Sequence, residues 1–166
     1  DVETMVSAYK LMSEKRDYPL HLGVTEAGTL FQATVKSSIG IGACLLEGIG
    51  DTIRVSVTGD PVEEVRIGRE ILKSLHLRKF GVEIISCPTC GRCEVDIINI
   101  ANAVEEKLRF VNKDIKVAVM GCVVNGPGEA KGCDIGLAGA KSGKFVLFKK
   151  GEIIDRIDQK IAVSRL

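Results

Sequence analysis

Val82-Glu-Ile-Ile-Ser-Cys87-Pro-Thr-Cys90-Gly-Arg-Cys93 is the stretch on which the reading of this chain turns. Val82 to Ser86 is a short β-branched run that predicts a strand, and it runs directly into a turn carrying three cysteines. At 33 residues beyond Val82 the pattern returns: Ile115 to Met120 predicts another strand, followed by Gly121-Cys122-Val-Val-Asn-Gly-Pro-Gly-Glu-Ala130. Between them, Ile97, Ala101, Val104, Leu108 and Val111 recur at steps of four and three, predicting a helix over about 94–110. Strand, helix, strand implies a parallel pair, and in one parallel sheet the ends that carry Cys87 and Cys122 lie at the same edge.

Working outward, apolar runs alternate with amphipathic stretches along the whole chain, the pattern of an α/β protein. Residues 2–14 predict a helix, 18–25 a buried strand, 30–46 a helix containing two glycines, and 51–58 a second strand. Asp60-Pro61-Val62-Glu63 supplies an N-cap, a proline at the first helical position and a glutamate able to close a capping box. The helix it starts is expected to reach about Leu77, with Val62, Val65, Leu72 and Leu75 as its apolar stripe. Downstream, 134–140 and a hairpin of 145–148 with 152–155 supply further strands. The change of texture near residues 79–83 divides the chain into domains of 1–81 and 82–166.

The chain has 166 residues, 23 Lys+Arg against 22 Asp+Glu, and a net charge of +1. That balance argues against a nucleic-acid backbone binder, which needs a clustered basic excess. Charge-free runs such as 117–128 fall short of the roughly 18 to 20 apolar residues of a spanning helix, which argues against a membrane partner. Asp1-Val2-Glu3-Thr4 has neither the basic nor the apolar part of a secretory signal, so a cytoplasmic location is expected. There thiols stay reduced, and a cysteine group reads as metal-binding or catalytic.

Three readings of the cysteines compete. A bacterial-type ferredoxin needs C-x2-C-x2-C-x3-C-P, and Asp96 and Ile97 stand where that motif would continue. A structural zinc site wants a second close pair, but Cys122 and Cys133 are eleven apart. A [4Fe–4S] cluster held by Cys87, Cys90, Cys122 and one further ligand fits best. Cys93 and Glu129 are both available as that fourth ligand: four cysteines imply electron transfer, whereas a carboxylate-held iron, which a substrate oxygen can displace, implies catalysis. Cys44 and Cys133 read as small buried hydrophobes.

Ser86-Cys-Pro-Thr-Cys-Gly-Arg92, followed by Met120-Gly-Cys-Val-Val-Asn-Gly-Pro-Gly-Glu-Ala130, strongly resembles the 4-hydroxy-3-methylbut-2-enyl diphosphate synthase family of the methylerythritol phosphate route to isoprenoids. The likeness continues upstream through His21-Leu-Gly-Val-Thr-Glu-Ala-Gly28, Val35-Lys-Ser-Ser-Ile-Gly40 and Glu47-Gly-Ile-Gly-Asp-Thr-Ile-Arg-Val-Ser56, and so covers essentially the whole chain. The resemblance implies the last strand–helix units of a TIM (β/α)8 barrel followed by an α/β iron–sulfur domain. By it, Cys87, Cys90 and Cys122 match the thiolate ligands, Glu129 the non-cysteine ligand, and Asn125 a residue facing substrate. Cys93 matches no ligand position of that pattern. Glu26 matches the acid/base residue of the barrel, and Arg54 and Ser56 the substrate and diphosphate surroundings. His21 reads as a packed strand residue and Lys36 as a helix-surface charge.

The family reaction implied is an oxidoreductase step: reductive ring opening and dehydration of 2-C-methyl-D-erythritol 2,4-cyclodiphosphate, with substrate oxygen replacing Glu129 at the unique iron. Ferredoxin or flavodoxin is the implied electron donor, and a homodimer is implied for the two-domain members. The alternatives are an electron-transfer iron–sulfur protein with Cys93 as fourth ligand, and a zinc-stabilised binding module. A (β/α)8 barrel needs about 250 residues by itself. The chain is therefore expected to be the C-terminal part of such an enzyme and not to turn over substrate alone.

Overall fold

The computed structural model describes residues 1–124, Ala130 and 132–166; Asn125 and Glu129 lie outside the described residues. The chain divides into two compact units, Asp1–Lys79 and Phe80–Leu166, each with its own core.

The first unit is a helix followed by two strand–helix pairs: α1 (Val2–Lys15), β1 (His21–Gly23), α2 (Leu30–Leu46), β2 (Thr52–Arg54) and α3 (Pro61–Ser74). β1 and β2 pair in parallel, with Leu22 opposite Ile53 and Gly23 opposite Arg54. Leu22, Ile41, Cys44, Val55, Ile67 and Ile71 form the core between the strands and the inner faces of α2 and α3. α1 starts on Asp1, whose carboxylate accepts from the Thr4 N–H at 2.8 Å. α3 starts on Asp60, which accepts from the Val62 N–H at 2.9 Å, with Pro61 where its missing N–H costs nothing.

The sequence pattern misplaces three details here. The strands expected over 18–25 and 51–58 shrink to three residues each, because the flanking backbone is drawn into loops. The buried face of α3 is Ile67, Gly68 and Ile71, whereas Val62 and Val65 are exposed: its first turn overhangs the core. Glu63 closes no capping box and instead pairs with Arg66 one turn on, at 2.7 Å; Glu64 turns back to accept from the Val57 N–H at 2.9 Å.

The second unit is a five-stranded sheet of order β3-β4-β5-β6-β7, comprising Glu83–Ser86, Lys116–Met120, Ile135–Ala140, Lys144–Lys149 and Glu152–Asp158. β3, β4 and β5 are parallel, and β6 and β7 complete the sheet antiparallel. α4 (Ile97–Leu108) links β3 to β4, and α5 (Gln159–Arg165), which the sequence pattern did not reveal, follows β7. Alternation along β4 sorts its residues onto two faces. Val117 and Val119 join Ile97, Ile100, Val104, Leu137, Phe145 and Ile157 in the core beneath α4 and α5. Ala118 and Met120 pack on the other face with Ala138, Phe148 and Cys133. β4 is buried on both faces, which is why it reads as an uninterrupted apolar run. Among the described residues no helix is long and apolar enough to cross a membrane.

Candidate functional site

β3 and β4 are in register with Ser86 opposite Val119, and the Cys87 N–H reaches the Val119 carbonyl at 3.4 Å, so Cys87 leaves the sheet as β3 ends. One residue beyond β4, Gly121 donates its N–H to Cys87 Sγ at 3.1 Å, and Cys122 follows. The cysteine turn is closed by the Cys93 N–H on the Cys90 carbonyl at 3.0 Å, and it is tied to β4 by the Glu94 N–H on the Gly121 carbonyl at 3.2 Å. The structure thus brings the segments bearing Cys87, Cys90 and Cys93 to the edge where Cys122 emerges.

Gly121 is small for a local reason. A Cβ there would lie 2.7 Å from Cys93 Sγ and 3.6 Å from Cys87 Sγ. Gly139 on β5 backs the same turn, since a Cβ on it would lie 2.4 Å from the Gly121 carbonyl oxygen. Glycines therefore let two strand ends and two sulfurs crowd together, with a backbone N–H aimed at sulfur.

The six cysteines differ in environment. Cys90 is exposed, and the Arg92 backbone N–H, followed by the Arg92 side chain, holds its thiol below the ordinary range. Thiolate is the form that binds iron or zinc. Cys122 is buried at 5% exposure next to the turn. Cys44 lies in the first unit's core and Cys133 in the second unit's, and burial raises both thiols, as expected of structural cysteines. Cys93 is half-buried, and its Sγ donates to the Val95 carbonyl at 3.2 Å.

Among the described residues no three His, Cys, Asp or Glu side chains converge at the distance of a single ion. Thiolates that hold a cube-shaped cluster bind different irons, so they need not converge as zinc ligands do. The sulfur-directed N–H of Gly121 and the shifted Cys90 thiol suit such a cluster. Asn125 and Glu129 fall outside the described residues.

In the first unit Glu26 and Ser56 lie beyond the carboxyl ends of the parallel pair and Arg54 at the end of β2. Glu26 follows β1 with φ +58°, left-handed backbone that is uncommon for a residue other than glycine and that collects at functional sites. Its carbonyl accepts from Nζ of Lys36 at 3.3 Å; Lys36 is exposed on α2, as expected of a helix-surface charge. Arg54 ends β2 and donates to Thr25 Oγ1 at 3.1 Å. Its guanidinium lies across Gly23, where a Cβ would sit 3.0 Å from Nη2. Ser56 lies two residues beyond β2, half-buried. Thr25 and Glu26 open onto a cavity of about 640 Å3 that Met5, Tyr9 and Gly23 also line. His21 is exposed, not packed in the core, and its Nδ1 meets Thr52 Oγ1 at 2.7 Å across the strand pair.

The family description "GcpE TIM-barrel domain" matches residues 1–69, and "GcpE protein C-terminal domain" matches residues 83–166. The chain is 63% identical over 166 residues to a Clostridium acetobutylicum protein named 4-hydroxy-3-methylbut-2-en-1-yl diphosphate synthase (flavodoxin), covering 100% of this chain and 47% of that one. A Geobacter sulfurreducens protein of the same name is 54% identical over 159 residues, covering 96% of this chain and 45% of the relative. The chain spans about half the length of the curated relatives it matches. With family descriptions matching both units and this identity along its whole length, the chain belongs to the GcpE family.

Proposed function

We propose that this chain carries the cluster-binding domain and part of the barrel of an isoprenoid-pathway oxidoreductase that converts 2-C-methyl-D-erythritol 2,4-cyclodiphosphate into 4-hydroxy-3-methylbut-2-enyl diphosphate. The observation that carries the reading is the similarity along the whole chain to relatives bearing the synthase name, with Cys87 and Cys122 leaving neighbouring parallel strands at one edge. Cys87, Cys90 and Cys122 would hold a [4Fe–4S] cluster with Glu129 as the fourth ligand, and the cluster would supply single electrons for reductive C–O cleavage.

The remaining work falls to the chain's own groups. Gly121 donates its N–H to Cys87 Sγ at 3.1 Å and so ties that sulfur to the end of β4. Arg54, hydrogen-bonded to Thr25, would offer a guanidinium suited to a diphosphate oxygen, and Ser56, two residues beyond β2, a hydroxyl. Glu26, on a left-handed backbone whose carbonyl accepts from Lys36, would move a proton beside the strand ends, and Asn125, outside the described residues, would serve the substrate. The flavodoxin in the relatives' name supports a flavodoxin donor, with ferredoxin the alternative; a homodimer is part of the same reading.

Anaerobic purification followed by iron and acid-labile sulfide analysis tests this directly, with about four of each expected per chain. Zinc without sulfide would sink the iron–sulfur reading. Cys87→Ala or Cys122→Ala should abolish the cluster, and Glu129→Ala should leave it labile. The chain on its own should not convert the cyclic diphosphate, and measurable turnover from these 166 residues would overturn that part.

A further inference from the structure

We infer that Gly23 and Thr25 are positioning residues for Arg54: the missing side chain of Gly23 gives the guanidinium its seat, and the Thr25 hydroxyl holds it there. The inference rests on the proposed function for what Arg54 then binds, a diphosphate group, and on the strand pair alone for how Arg54 is held.

Three observations carry it. First, Gly23 and Arg54 are register partners in the parallel pair. Leu22 and Val55 pack with Ile41, Ile67 and Ile71 in the core against α2 and α3, and side chains alternate along a strand, so Gly23 and Arg54 stand on the face turned away from those helices. Secondly, a Cβ on Gly23 would lie 3.0 Å from Nη2 and 3.1 Å from Nε of Arg54, so the guanidinium takes the space that a side chain at this position would fill. Gly23 is not one of the glycines with positive φ, so its backbone does not call for glycine; the space above it does. Thirdly, Nη2 of the same guanidinium donates to Thr25 Oγ1 at 3.1 Å, two residues past the end of β1.

Arg54 is otherwise exposed, and an exposed arginine gives up rotamer freedom when an anion orders it. A guanidinium already seated on Gly23 and Thr25 has less to give up, and the bond to Thr25 occupies one of its five N–H donors, leaving others for a diphosphate oxygen. Gly23→Val puts γ-methyl groups where the guanidinium sits, in a strand that favours a β-branched residue. Thr25→Val removes the acceptor at nearly constant size, and Thr25→Ser keeps it. Releasing the side chain in either valine variant should weaken diphosphate binding about threefold to tenfold.

The experiment follows the Arg54 side-chain nitrogens of the full chain by NMR, first without ligand and then through a titration with inorganic diphosphate, with the Leu22 and Ile53 amides as the check that the strand pair is intact. In Gly23→Val and Thr25→Val, rotation of the guanidinium about Nε–Cζ should be about fivefold faster than in wild type, the loss of one modest hydrogen bond. Both should bind diphosphate about threefold to tenfold more weakly, with Thr25→Ser close to wild type in both readings. Should Gly23→Val shift the Leu22 and Ile53 amides, the contrast between Thr25→Val and Thr25→Ser decides. Unchanged Arg54 rotation in Thr25→Val overturns the inference whatever diphosphate does, and so does an equal change in Thr25→Ser and Thr25→Val, because the hydroxyl would then be irrelevant. A wild-type chain that binds diphosphate no better than Arg54→Ala defeats the proposed role of Arg54 instead, and the rotation measurement then decides the seating by itself.

Discussion

Gly139→Ala tests the packing that places the cysteine edge. The added Cβ would stand 2.4 Å from the Gly121 carbonyl oxygen, 2.8 Å from the Gly121 carbonyl carbon and 2.6 Å from Val95 Cγ2. Two of these atoms are backbone, so no rotamer change relieves the clash. β5 is paired on both edges, with β4 and β6, and is poorly placed to yield. The turn at Gly121 must move instead, stretching the Glu94 N–H to Gly121 carbonyl bond and the Gly121 N–H to Cys87 Sγ bond. Overpacking of this kind costs about 1–3 kcal/mol, and with backbone in the way the upper end, about 3 kcal/mol, is expected. At about 4–8 °C per kcal/mol for a domain of this size, that lowers the midpoint of the second unit by roughly 12–24 °C. Thermal unfolding followed through the amide signals of β4 and β6 reads the effect. Gly91→Ala is the control: a Cβ there meets nothing within 4 Å, and the change should stay within about 0.5 kcal/mol. A Gly139→Ala chain that unfolds within about 1 kcal/mol of wild type would refute the account of why this edge is built on glycine.

Three further outcomes are expected. The Ser37 hydroxyl is fully buried in α2 without a hydrogen-bond partner among the described residues, so Ser37→Ala should stabilise the first unit by about 1 kcal/mol in urea unfolding; a loss of that size would show that the hydroxyl is satisfied. In the metal-free chain Cys90 should alkylate with a half-maximal rate below the ordinary thiol pH and Cys133 above it, because the thiolate is the nucleophile, Arg92 lowers one thiol and burial raises the other. Arg92→Ala should return only part of the Cys90 shift, as the backbone donor remains, and coincident pH profiles for the two cysteines would contradict both assignments. Asp60→Ala removes the acceptor of the Val62 N–H and should cost about 1 kcal/mol, measured as a fall in the denaturation midpoint of the first unit.

Much of this molecule is written locally. The α2 helix runs from Leu30 to Leu46 as its composition implies, α3 begins at Asp60-Pro61, and β4 stands out as a doubly apolar run, because caps, proline geometry and burial on two faces leave marks on neighbouring residues. The cysteine motif was legible for the same reason: the spacing of Cys87, Cys90 and Cys93 lies within one turn. Glu63 defeated local reading, since Arg66 competed for its carboxylate, and Val62 and Val65 did so because a helical stripe cannot say which turn overhangs the core.

The sequence alone determined the α/β pattern, the cysteine edge and the resemblance that named a family. Only the tertiary structure decided that Cys93 turns its sulfur to the Val95 carbonyl while Cys87 takes the Gly121 N–H, although both belong to one seven-residue motif. It also showed Lys36 donating from α2 to the carbonyl of the left-handed Glu26. The physical reason is common to both. Spacing along the chain specifies which groups are available, but a sulfur's partner and a lysine's reach depend on how the elements pack, here β4 and β5 behind the cysteine turn and α2 beside β1.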